Sequence, residues 1–191
     1  LKVLMITHKV LASQQGYEQL LDILDDGLRN KEDPFLIFFA DTIEPIYYAL
    51  NTSNIQLLFD TLGIKRYPIT KKSEKTKWKS LCNQLTEVRA QKAIDVLEAI
   101  IHSKLVPLPP KVDRWYRLYK DAPETMYASE ATIQQFLQLD YAQFIAVRDF
   151  LYPDAQFSTE HGVKGEEYDN VVFVISKGWN QYQFETYAPM I

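Results

Sequence analysis

The chain has 191 residues, 47% of them hydrophobic and 13% aromatic, which supplies a real apolar core and excludes a disordered tail. Its 21 Lys and Arg against 25 Asp and Glu give a net charge of −4, and a single cysteine excludes a disulfide framework. The longest apolar stretch, from Phe35 to Leu50, is broken by Asp41, Glu44 and Pro45 and falls short of a membrane span.

The run Leu1-Lys2-Val3-Leu4-Met5-Ile6 starts without a signal peptide, so the expectation is a fragment of a longer cytoplasmic protein with no membrane partner. Residues 1–7 read as a buried parallel strand bounded by Thr7-His8-Lys9. Tyr17, Leu20, Leu21 and Leu24 follow at helical spacing. Asp33-Pro34 reads as a cap with a first-turn proline, Asp41 with Glu44 as a capping-box variant, and Gly63 as a helix stop after Leu57, Leu58 and Leu62. Trp78, Leu81, Cys82, Leu85 and Val88 share one face of the next helix, which makes Cys82 a packing residue rather than a nucleophile.

Charge is unevenly spread. Residues 65–92 hold nine basic side chains and two acidic ones, a balance of +7 that leaves −11 elsewhere. Lys71, Lys72, Lys75, Lys77 and Lys79 form a basic patch that reads either as a phosphate-facing surface or as a solvated helix face. Prolines 107, 109 and 110 form an extended connector, and helices are expected near 111–119, 129–138 and 140–151, with Ser129 and Asp140 as N-caps. Trp115, Tyr116 and Tyr119 fit core packing better than base stacking, and His102 fits a helix C-terminus. The three histidines have no metal-ligand spacing, so no metal site is expected. Strands return at Gln156–Thr159 and Asn170–Ser176, the second a charge-free β-branched run that reads as the clearest core strand.

This order predicts an α/β fold: a parallel sheet assembled from both chain ends and interrupted by a mostly helical insertion. The expected domains are 1–32, 33–152 and 153–191. Between the last two strands, Thr159, His161, Lys164, Gly165 and Glu167 place a hydroxyl, an imidazole, an ammonium, a glycine and a carboxylate on one connection. Such connections carry ligands in open α/β sheets, and Gly165 would let the backbone approach a phosphate.

The pattern Thr-x-His-x-x-Lys-Gly-x-Glu-aromatic, here Thr159, His161, Lys164, Gly165, Glu167 and Tyr168, followed by Asp-x-Val and an apolar strand, resembles motif V of the UvrD/Rep/PcrA-type helicases of superfamily 1. The resemblance implies a second RecA-like motor domain that closes on ATP and Mg2+ against a first motor domain and walks on single-stranded DNA, 3′ to 5′. It places Gly165, Glu167 and Lys164 at the nucleotide, and Thr159 and His161 at the DNA. It also places His8 and Lys9 near the nucleotide, where the family carries an aromatic-Arg pair absent from this chain. The helices from 33 to 152 occupy the slot of the family's accessory insertion, without its Gly-Gly-rich stretch. Glu166 stands where the family has an apolar residue. No Gly-x-x-x-x-Gly-Lys-Ser/Thr loop is present, and the arginine-bearing last motif does not follow the final strand. The chain alone is therefore expected neither to hydrolyse ATP nor to unwind DNA. The segment Gly178-Trp179-Asn180-Gln181-Tyr182-Gln183-Phe184 is similar to helicase-like proteins encoded beside OLD-type nucleases, which implies phage defence or DNA repair and a nuclease partner. Two other readings stand beside the motor: a degenerate, non-catalytic module binding nucleic acid or a nuclease, and a small-substrate hydrolase using His161, Lys164 and Glu167.

Overall fold

The computed structural model describes residues 2–5, 8–24, 33–64, 71–121, 128–151, 157–159 and 167–174. Contacts divide the chain into two units, residues 1–18 with 146–191, and residues 19–145.

In the first unit, β1 (Lys2–Met5) lies between β2 (Phe157–Thr159) and β3 (Val171–Val174), all parallel. Val3 pairs with Phe157 and Val172, and Met5 pairs with Thr159 and Val174. Helix α1 (His8–Gln15) packs on β1 and β2, burying Leu11 and Ala12. It stops at Gly16, whose φ of 81° admits the left-handed turn that an L-residue resists. The expected helix around Tyr17–Leu24 thus starts afresh as α2 (Glu18–Leu24).

These strands correct the expected fold class. Three strands of four, three and four residues are set among ten α-helices among the described residues, so the protein is mostly helical and is not an α/β protein built on a RecA-like parallel sheet. The long apolar segments carry helical rather than alternating periodicity, and the core follows them. The run beginning at Asn170 is not a core strand at its start either. Val171 is 47% and Val172 46% exposed, on opposite faces of an outer strand.

In the second unit, the Asp33 carboxylate caps α3 (Pro34–Phe38), accepting the Leu36 N–H at 2.8 Å, with Pro34 supplying a first-turn φ without an orphaned N–H. The helix widens into a π-helical turn over Phe39–Ile43 and continues as α4 (Glu44–Asn51). Pro45 explains the widening: it has no N–H for the Asp41 carbonyl and crowds it sterically. Asp41 therefore lies inside a continuous helix rather than capping a new one. Helix α5 (Ile55–Leu62) is capped by Asn54 and ends at Gly63, φ 64°, where the Ile64 N–H donates to the Phe59 carbonyl.

Helix α6 (Lys72–Val88) packs on α4 and on α7 (Ala93–Ser103) through Trp78, Leu81 and Leu85. Helix α8 (Pro110–Asp121) meets α3, and α9 (Ala128–Leu137) meets α7 and α8. Helix α10 spans Ala142–Leu151. Ser129 falls inside the first turn of α9, and Asp140 binds Lys92 Nζ at 2.7 Å, so neither plays the expected cap role. Instead, residues 91–93 and 139–141 pair like short strands, with Ala93 N–H on the Leu139 carbonyl and Tyr141 N–H on the Gln91 carbonyl.

An aromatic cluster forms the core. Phe39 meets Tyr141 and Phe144 edge-on, with centroids 5.3 and 5.1 Å apart, and Phe136 meets Phe144 at 4.8 Å. Phe35 bridges Phe39, Phe136 and Trp115. Edge-to-face packing places ring hydrogens against the negative ring face, which adds to the burial of area. Gln143, buried beneath, accepts the Leu20 N–H at 3.0 Å and donates to Gln19 Oε1 at 2.9 Å, which ties the first turn of α2 to α10.

Candidate nucleotide and nucleic-acid surfaces

The register of the strands decides where the described motif residues stand. Thr159 ends β2 directly opposite Met5, the last residue of β1. Three residues further along the chain, His8 opens α1 and Lys9, exposed, follows it. The C-terminal edge of the parallel strands thus gathers Thr159, His8 and Lys9. Crevices outside the carboxyl ends of parallel strands are where ligands settle in open sheets, because the chain turns there and presents side chains and first-turn amides.

Glu167 is not brought to that edge by the strands. It is exposed and stands four residues before Val171, which pairs with Lys2 at the start of β1. The two edges are about 10 Å apart along β1, at about 3.3 Å per residue. His161, Lys164 and Gly165 lie outside the described residues. The residues in hand therefore do not form a nucleotide cradle by themselves, and no phosphate or Mg2+ geometry follows from them. Among the described residues no three or more His, Cys, Asp and Glu gather as a metal-binding group.

The basic patch lies on α6. Lys71, at its N-cap position, and Lys72, Lys75, Lys77 and Lys79 are all exposed. Glu74, the one acid between Lys71 and Lys79, is half-buried and accepts the Lys71 N–H at 2.9 Å. On the same helix Cys82, one turn beyond Lys79, is half-buried, and burial pushes its thiol up, away from the thiolate form that nucleophilic chemistry needs.

Other polar groups are engaged structurally. Arg89, which follows α6, reaches back to α4, donating to Glu44 Oε1 at 2.9 Å and Oε2 at 2.6 Å. Its guanidinium lies 3.9 Å from the Tyr47 ring centroid. Burial opposes the Arg89 charge, but the hydrogen bonds and the charge of Glu44 outweigh it and hold the proton more firmly. No local pattern announced this pair, whose members are 45 positions apart. Trp115 tilts on Phe35, centroids 5.6 Å apart, and the Tyr119 hydroxyl accepts from Gln138 Nε2 at 2.9 Å, so these two aromatics work in packing and local hydrogen bonding.

An open depression of about 420 Å³ on α8 is lined by Asp113, Arg114, Arg117, Leu118 and Asp121. Arg117 already pairs with Asp113 at 2.9 Å, and the two acids offset the two arginines, so the depression favours no charged ligand.

No protein-family profile, curated protein or solved structure matches this chain. Among the described residues, no helix is long and apolar enough to cross a membrane.

Proposed function

We propose that this chain is part of an ATP-dependent translocase on single-stranded DNA, of the UvrD/Rep/PcrA type, supplying part of the DNA track and one face of the nucleotide cleft. ATP and Mg2+ would be held mainly by a partner motor domain of the same parent protein, because this sequence has no Gly-x-x-x-x-Gly-Lys-Ser/Thr loop. The observation that carries the reading is the pairing of Thr159 with Met5, which sets the first residue of the motif beside the start of α1 at the carboxyl edge of parallel strands. From there the hydroxyl of Thr159 and the imidazole of His161 would hold DNA phosphates, while Lys164, Gly165 and Glu167 would reach the nucleotide.

Steady-state ATP hydrolysis by the intact parent protein, with and without single-stranded DNA, tests this. Strong stimulation by DNA is expected, reduced by Thr159→Ala or His161→Ala with basal hydrolysis retained, whereas Glu167→Ala lowers hydrolysis under both conditions. Unchanged kinetics in all three variants would remove the site assignment. No hydrolysis by the wild-type parent would leave the binding module as the working description.

A further inference from the structure

The five lysines around the start of α6 do not all face the same way. At about 100° per residue, Lys72, Lys75 and Lys79 fall within about 60° of arc, and Lys77 lies roughly 140–160° away from them. The buried Trp78, Leu81 and Leu85 occupy the side of the helix turned toward α4 and α7. Lys72, Lys75 and Lys79 thus form a strip on the solvent side, about 10 Å long at 1.5 Å per residue.

Two features mark the strip as more than a solvated face. None of its three lysines forms an ion pair among the described residues, although acids outnumber bases in the chain by four. Lys72 also stands in the first turn of the helix, where the macrodipole is positive and cations are disfavoured. The one carboxylate at that end, Glu74, accepts the Lys71 N–H, and Lys71, Lys72, Lys75 and Lys79 outnumber it, so a net positive potential remains over the strip. Such a concentration of positive potential is relieved by an anion from outside the chain.

The strip's surroundings decide between anionic partners. Its exposed neighbours are Lys71, Thr76 and Asn83, Cys82 beside it is half-buried, and no large hydrophobic residue is exposed on α6. A protein partner would be anchored by aromatic or aliphatic side chains at its centre, which this surface lacks, whereas a phosphate backbone is bound by point charges and polar groups alone. We infer that Lys72, Lys75 and Lys79 form a docking strip for the phosphate backbone of single-stranded nucleic acid. The strip is a second contact on the second unit, separate from the motif residues, and it rests on the proposed function in taking single-stranded DNA as the strand held.

Fluorescence anisotropy of a labelled 20-nucleotide oligothymidylate, titrated with the full chain without ATP over a range of salt, tests the strip directly. Three single-strand phosphate contacts contribute about 2 to the slope of log affinity against log salt. The triple variant Lys72→Gln/Lys75→Gln/Lys79→Gln is expected to lose that part of the slope. Its deficit against wild type then shrinks about twenty-fold between 50 and 200 mM salt. The triple arginine variant keeps the affinity, Lys75→Gln alone weakens it, and Lys77→Gln leaves it unchanged. Equal losses from Lys75→Gln and Lys77→Gln would reduce the effect to net charge and overturn the strip. So would polyglutamate competing as well as unlabelled oligothymidylate at equal charge, since that would mark an acidic protein surface. An unaltered slope in the triple variant, beside DNA-stimulated hydrolysis by the parent that depends on Thr159, would remove the strip and leave the translocase standing. The reverse pattern would keep the strip and remove the translocase.

Discussion

The Asp33 carboxylate accepts the Leu36 N–H at 2.8 Å from a position where burial opposes its charge. Burial is the larger influence and raises its pKa above the ordinary 3.8, while the Leu36 and Phe35 N–H groups pull in the other direction. Folding therefore takes up a proton between 3.8 and the raised folded value, and stability falls as pH rises through that window. An asparagine keeps the acceptor oxygen without the charge. Asp33→Asn is expected to match or exceed wild-type stability at pH 7, with its advantage narrowing as the pH is lowered below 3.8. Asp33→Ala, which removes the cap, costs about 1 kcal/mol. Urea unfolding at the two pH values measures both, and an Asn variant as unstable at pH 7 as the Ala variant would refute the balance. The Asp33-Pro34 start and the Gly63 stop were legible because each depends on a few neighbouring residues. Asp41, Ser129 and Asp140 have the same side-chain chemistry as good caps, but Pro45 and Lys92 decide where the chain turns, and no short window contains that information.

Between elements, the Glu44–Arg89 pair fastens the start of α4 to the end of α6. Glu44 is 4% exposed and Arg89 19%, so removing the cation alone leaves a buried carboxylate without its partner. Arg89→Met is expected to cost about 3–5 kcal/mol, and the double variant Glu44→Leu/Arg89→Met much less, because the remaining cost is packing rather than an uncompensated charge. Thermal unfolding of the singles and the double measures the coupling, and additive losses would show that the two groups act independently. At this scale the apolar faces were readable, since Trp78, Leu81 and Leu85 do point inward. Partnerships across α4 and α6 were not, because charge complementarity over 45 positions leaves no periodic trace. The candidate site was legible as a motif and only partly as an arrangement: Thr159, His8 and Lys9 share an edge, whereas Glu167 approaches from the other end of the strands.

Over the whole molecule, composition favoured neither helix nor sheet, and the expected α/β class came from giving the two β-branched ends the same weight as the middle. The middle holds most of the apolar side chains that helices can bury together, and that proportion makes the protein mostly helical. It also gives the central unit the attributes of an independent domain. The aromatic contacts among Phe35, Phe39, Trp115, Phe136, Tyr141 and Phe144 lie within residues 19–145. So do the ion pairs Glu44–Arg89, Lys92–Asp140 and Lys120–Glu98. A chain of residues 18–151, which keeps α2 and α10 whole, is therefore expected to fold alone, with a strongly helical far-ultraviolet spectrum and a cooperative thermal transition. Its near-ultraviolet aromatic signal should vanish in that same transition, because fixed edge-to-face rings produce it only while the core is packed. A gradual melt, or helical signal without near-ultraviolet signal, would mean that the aromatic core needs the chain ends to become specific, and the strands would then belong to the same cooperative unit.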